Sequence, residues 1–256
     1  MLFKDILEKK AKQLEPEFDK LFNLIIQKQH HSGDLLLVLV NGCYDEEIAN
    51  STTLGVKLSP YTIGPHKEGH SESCHYEFIH QYRTTHLAQF NHSEYLEMLN
   101  FSPEKRQQIF EFQKMEGTTI QLEMLIYLKI WEADSFIKRF YQLVRLVKSE
   151  SYDWYFKLSE SNRDSSATGT RQDIIRLQIR DRIEKDLPSI YLAFKNAYLT
   201  QVRNSIAHSN YSISSRYIQL NNYIKKDPAS QLISLSFDEW IDKFHDTMII
   251  YDQYIK

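Results

Sequence analysis

IQLEMLIYLKIWEADSFIKRFYQLVRLV, residues 120–147, is the strongest helical signal in the chain. Leu122, Leu125, Ile126, Ala133, Phe136, Ile137, Phe140, Leu143, Val144 and Val147 return at intervals close to three and four, which gathers them on one broad stripe. The spacing predicts one long core helix, and a chain built around it is mainly α.

Toward the N-terminus, Gly117-Thr118-Thr119 predicts a break ahead of that helix, and Asn100-Phe101-Ser102-Pro103-Glu104 predicts the opening of another. Ser102 would be its N-cap and Pro103 its first residue, where the missing amide hydrogen costs nothing. A further helical region is expected from Tyr76 toward Leu99, after a loop-rich stretch between Ser51 and Gly69. Leu35 to Val40, closed by Asn41-Gly42, fits a buried strand or a short core helix equally, because six aliphatic residues show no period. Residues 3–29 read as an amphipathic helix, with Pro16 the point at which it would divide.

Toward the C-terminus, Ser159 to Thr170 holds no large apolar residue and predicts an exposed, mobile connection. A new helix is expected at Pro188, with Tyr191, Phe194, Tyr198, Val202 and Ile206 on its apolar face, running to His208. Tyr217 to Leu220 and Leu232 to Phe237 alternate apolar and polar residues about Lys226-Asp227-Pro228, which predicts a small antiparallel hairpin. A last amphipathic helix carries Trp240, Ile241, Phe244, Met248, Ile249 and Tyr251.

With 256 residues, 42% hydrophobic and 25% charged, the composition is globular and excludes collagen-like, disulfide-scaffold and disordered chains. Mean hydropathy is −0.49 and the longest aliphatic run is six residues, too short to span a bilayer. Met1-Leu2-Phe3-Lys4-Asp5 enters a charged amphipathic segment with no leader pattern, so the cytoplasm is the expected compartment and Cys43 and Cys74 are expected to be reduced thiols. Net charge is −3, yet Lys129 to Lys226 holds 17 Lys and Arg against 10 Asp and Glu. That stretch carries the positive charge a polyanion would seek.

His66, His70, His75, His80, His86 and His92 crowd around Cys74, a mixture of imidazole and thiolate that zinc prefers. Their spacing matches no zinc finger or ribbon, and no metal site is predicted. No glycine-rich phosphate loop, Gly-x-Ser-x-Gly elbow or His-Glu-x-x-His is present. One compact motif remains: Arg203-Asn204-Ser205-Ile206-Ala207-His208, followed by Ser209-Asn210-Tyr211.

Arg-Asn-x-x-Ala-His at the end of a helix resembles the HEPN superfamily, whose Arg-x(4 to 6)-His signature Arg203 and His208 match. The resemblance implies a HEPN-like helical bundle over 101–256, with additional helices in a region 1–100 of unassigned role and the small β-hairpin near the C-terminus. It implies a metal-independent endoribonuclease of a toxin-antitoxin or phage-defence system, without cofactor, with RNA as substrate, a homodimeric state and an antitoxin protein as partner. The alternative it carries is an inactive HEPN module that binds RNA or a nucleotide. Arg203 and His208 would be catalytic, and Asn204 and Tyr211 would contact substrate. Glu132 or Asp134 would supply the acidic residue found near the site in the family. Some members place a modifiable tyrosine two residues after the histidine; Tyr211 stands three after, which speaks against that control.

The chemistry of the residues agrees. Cleavage through the 2′-hydroxyl needs a group that accepts and donates protons near neutrality, as imidazole does, and a fixed cation with a planar fork for phosphate oxygens, as guanidinium is. Asn204, four residues before His208, shares its helical face and is placed to orient the imidazole or touch the sugar. On a continuous helix, five steps put Arg203 and His208 about 140° apart. Either the helix unwinds near Ala207, or a second subunit brings its motif alongside; a dimer with facing motifs is the expectation.

Overall fold

In the computed structural model, residues 1–40, 70–100, 102–153, 156–159, 167–226 and 231–255 are described. The loop-rich segment expected over 51–69, which includes His66, lies outside them, as do Cys43 and most of the connection after Ser159. The described chain is mainly helical with two small sheets, and among its residues no helix is long and apolar enough to cross a membrane. It forms two compact units, one of residues 1–14, 80–131 and 193–256, the other of 15–79 and 132–192.

Helix α1, Lys4–Lys28, runs unbroken through Pro16. The aliphatic run resolves as a helix, α2, Asp34–Val40; Gly33 with φ 96° turns the chain into it and the Asp34 carboxylate accepts the His31 amide at 2.7 Å. Helix α3 is His70–Thr85 and α4 is His92–Met98, two helices where one region was expected. What separates them is a capping box, Asn91 accepting the Glu94 amide and Glu94 returning to the Asn91 amide.

Ser102 stands at the N-cap position, without a side-chain capping bond, of a short 3₁₀ turn, Pro103–Lys105, which leads into α5, Arg106–Trp131. The break predicted at Gly117-Thr118-Thr119 does not occur: α5 passes through it, with both threonine hydroxyls donating to carbonyls one turn back. The break comes later. Ala133 is extended (φ −71°, ψ 110°), and α6 is Asp134–Val147, so 120–147 is the end of one helix and the whole of another. Arg171, distant in sequence, donates to the Glu132 carbonyl at 2.9 Å and pairs with Asp134 at 2.6 Å at the start of α6.

In the second unit, α6 buries Phe136, Ile137, Phe140, Leu143, Val144 and Val147 against α2 and a π-helical turn, Ile174–Arg180. That turn lies between α7, Arg171–Asp173, and α8, Asp181–Ile183, and follows two short parallel strands, β1 (Leu158–Ser159) and β2 (Gly169–Thr170). Helix α9, Pro188–Ala197, begins where Pro188 predicts; the Glu17 carboxylate accepts the amides of Ser189 and Ile190 at 2.8 and 3.0 Å and serves as its cap.

The first unit carries the motif. Its core joins α5 to α10, Thr200–Ala207, and to α11, Phe237–Ile255. Trp131 packs on Tyr198 at 5.1 Å and on Phe194 at 5.7 Å, and its indole donates to Thr247. Glu123, fully buried, accepts the Trp240 indole at 2.8 Å and the Tyr82 hydroxyl, and pairs with the Met1 ammonium. A three-stranded antiparallel sheet, β3 (Tyr211–Ser214), β4 (Tyr217–Leu220) and β5 (Ser234–Ser236), follows α10. The expected hairpin of β4 and β5 is thus joined by a strand that begins three residues after His208.

Candidate functional site

The helix expected from Pro188 to His208 is two helices. The Tyr127 hydroxyl donates to the Ala197 carbonyl at 3.0 Å and Tyr198 is buried against Trp131, while Leu199 is extended (φ −120°, ψ 118°) and starts α10. Eight residues long, α10 buries Val202, Ser205 and Ile206 and has the motif as its C-terminal half.

How α10 ends decides where the motif points. His208 is the C-cap, with φ −103° and ψ 10°, and its amide still donates to the Asn204 carbonyl at 3.1 Å. Ser209 then takes φ 54°, the left-handed conformation usual for glycine. Its amide bonds the Ile206 carbonyl at 3.1 Å and the Asn210 amide bonds the Ser205 carbonyl at 2.7 Å, a complete Schellman motif. The buried Ser205 hydroxyl donates to the Asn210 carbonyl, which also accepts the Asn221 amide at 2.8 Å. The last turn of α10 is therefore tied to the beginning of the sheet, and His208 is held between two fixed points.

The imidazole of His208 is exposed, and among the described residues it takes no hydrogen bond. Arg203 and Asn204 are half-buried, and the guanidinium donates to the Asn204 amide oxygen at 2.7 Å. Asn204 thus orients the arginine with its side chain and holds the histidine through its backbone. The helix thus ends at Ala207 with His208 still bonded to its last turn through the Asn204 carbonyl. Tyr211 is half-buried opposite Leu220, on the sheet face that also holds Ile213 and Ile218. Glu132 and Asp134 belong to the other unit, where both pair with Arg171.

Of the histidine cluster, His86 stacks on Tyr82 at 4.6 Å and His92 packs on Phe3 at 5.1 Å. The side chains of His70, Cys74 and His75 are not among those described, and no metal-binding group of three His, Cys, Asp or Glu forms among the described residues.

The sequence reading overlooked the tip of the sheet. Ser215 and Arg216 have φ 49° and 65°, the two left-handed positions of a type I′ turn, normally filled by Asn-Gly. Arg216 reaches from it to Glu116 at 3.3 Å, to the Tyr95 hydroxyl at 2.7 Å and to Asp238 at 3.4 Å. Glu116 is buried and also accepts the Tyr95 hydroxyl; burial pushes its carboxyl up from the usual range while Arg216 draws it down. No period or motif announces a buried carboxylate and an arginine 100 residues apart.

No known protein family, no characterised protein and no solved structure matches the chain.

Proposed function

We propose that the protein is a metal-independent endoribonuclease of HEPN type, acting at the end of α10. The observation that carries this reading is the placement of Arg203 and His208: a guanidinium braced by its neighbour and an exposed imidazole at the C-cap of one short helix. In the reaction, His208 takes the proton of a ribose 2′-hydroxyl, whose oxygen attacks the adjacent phosphorus. The bond from phosphorus to the 5′-oxygen breaks, that oxygen takes up the proton His208 accepted, and a 2′,3′-cyclic phosphate remains. Arg203 contacts the non-bridging oxygens throughout, where a planar fork and a permanent charge serve best. Asn204 holds that fork in place, and Tyr211 lies at the start of the strand that leaves the site.

A role in a toxin-antitoxin or phage-defence system, with an antitoxin protein as partner and a homodimer as the working form, belongs to the same reading. The second reading is an inactive module that binds RNA or a nucleotide. It is favoured by the absence, among the described residues, of a hydrogen bond that fixes the His208 tautomer, which a general base normally has. Incubation of purified protein with total RNA in EDTA, beside the His208→Ala form, separates the two. Cleavage lost in the variant supports the enzyme; retention of RNA without cleavage by the wild type supports the binder.

A further inference from the structure

Gln108, Ile109 and Phe112 stand three, four and seven residues after Lys105, a spacing that puts all four on one side of the chain where the 3₁₀ turn runs into α5. With Met98, from the end of α4, they line a cleft of about 150 Å³. Its floor is fixed from behind. Phe112 packs on Phe90 at 6.1 Å and on Tyr95 at 5.8 Å, and the hydroxyl of the buried Tyr95 accepts Arg216 at 2.7 Å. A ring so supported keeps its place when the cleft fills, so a ligand meets a surface that is already ordered. Met98, unbranched and exposed at the rim, adapts to the outline of what enters.

Volume limits the guest. A space of about 150 Å³ walled by aliphatic and aromatic side chains takes a benzene ring, and it falls well short of the roughly 300 Å³ at which sites for drug-sized molecules begin. A nucleotide is therefore too large. The mouth sets the charge: Lys105 and Gln108 are exposed, and among the described residues neither side chain has an ion pair or hydrogen bond. Glu104 does not neutralise the lysine, because hydrogen bonds from its own amide and from the Ser102 hydroxyl engage its carboxylate and hold it below its usual range. Among the described residues no acidic side chain lines the cleft, so a cationic guest would find no counter-charge. An ammonium and a carboxamide at the mouth of an apolar cleft complement a carboxylate, each donating to one of its oxygens.

We propose that this cleft binds a small monocyclic aromatic carboxylate, with the ring on Phe112 between Met98 and Ile109 and the carboxylate at Lys105 and Gln108. The inference does not rest on RNA cleavage, since none of these residues belongs to the end of α10. A ligand of this size makes few contacts, so its affinity lies in the millimolar range, about that of a single ring with one charged contact.

The test is calorimetric titration of the full chain with benzoate, beside benzyl alcohol, which keeps the ring and drops the charge; melting curves confirm that every variant is folded. Benzoate should bind about tenfold more tightly than benzyl alcohol. Lys105→Ala should erase that preference, Lys105→Arg should keep it, and Ile109→Trp, which fills the cleft, should remove binding of both probes. Phe110→Ala, at an exposed position outside the lining, should leave both unchanged. Absence of saturable benzoate binding, equal affinity for benzyl alcohol, or a Lys105→Ala protein that still prefers benzoate overturns the proposal. A short acidic peptide with one phenylalanine that binds tenfold more tightly than benzoate also overturns it, by assigning the cleft to a side chain of a partner protein.

Discussion

The guanidinium of Arg203 donates a 2.7 Å hydrogen bond to the side-chain oxygen of Asn204, its neighbour in the chain. An arginine free to rotate loses about 2 kcal/mol of rotamer entropy when it is fixed, and Asn204 meets part of that before RNA arrives. Asn204→Ala should therefore lower cleavage about tenfold, mostly in kcat. Asn204→Asp keeps the acceptor but neutralises the arginine, so it should be worse than alanine. Aspartate equal to wild type would show that the bond has no part in the reaction.

His208→Ala should remove cleavage by about 10²–10⁴-fold, the usual worth of a positioned proton-transfer group. The side chain is exposed and its amide remains, so circular dichroism should be unchanged. Arg203→Lys should also be poor, because an ammonium cannot reproduce a two-pronged contact with phosphate. EDTA should change nothing, since the invoked residues move protons and hold charge themselves.

Ser209 bears the backbone cost of the helix end. A non-glycine residue at φ 54° is disfavoured by about 1 kcal/mol, and the Schellman bonds hold it there. Ser209→Gly should raise the unfolding free energy by about that amount, read from urea titration with an unchanged slope. Ser209→Val should lower it by more and disturb His208, so cleavage should fall with stability. A glycine variant less stable than wild type would mean that the hydroxyl, and not the backbone, matters.

The helical content was legible because apolar periodicity is local, and Pro188 and Ser102 marked element starts within a residue or two. The junctions were not. The start of α6 depends on Arg171, the step at Leu199 on Tyr127 and Trp131, and the start of α9 on Glu17, each supplied from far along the chain. The motif itself was readable as a string, but its presentation was not, since the Schellman ending uses a serine where the sequence rule looks for glycine. The division of α3 from α4 was written locally, in Asn91 and Glu94, and was overlooked.

Arg216 faces two costs at once, a left-handed backbone and a partly buried charge. Arg216→Ala should lose about 3 kcal/mol, because it keeps the strained φ and leaves Glu116 buried without its cation. Arg216→Gly should lose about 1 kcal/mol less, since relief of the left-handed φ offsets part of the same charge loss. In a Glu116→Gln background either change should cost about 1–3 kcal/mol less, which measures the coupling. The pH dependence has a definite sign. With its cation gone, Glu116 titrates still higher in the folded state than in the unfolded one, so the deficit is small in acid and grows as pH rises toward neutrality. A deficit independent of pH would mean that Arg216 does not act through the charge of Glu116.

His245 gives the clearest acid response. It is fully buried, its Nε2 accepting the Phe3 amide at 2.9 Å and its Nδ1 bonded to the Ile241 carbonyl at 2.6 Å, which fixes a neutral ring with the proton on Nδ1. A proton on Nε2 would remove the acceptor of the Phe3 amide and charge a fully buried site; burial accordingly holds its pKa down at about 4. As pH falls below about 6.5 the unfolded chain takes up this proton and the folded one does not, so stability drops between about 6.5 and 4 and levels off below. The loss from this residue amounts to about 3 kcal/mol. His245→Gln keeps an acceptor for Phe3 but has no proton to gain, so it should be less stable at neutral pH yet lack this slope. The difference between wild-type and variant unfolding free energies, followed from pH 7 to 4, should shrink by that amount. Parallel curves would mean that His245 takes up its proton in the folded protein as readily as in the unfolded one, and that the bond to Phe3 is not made.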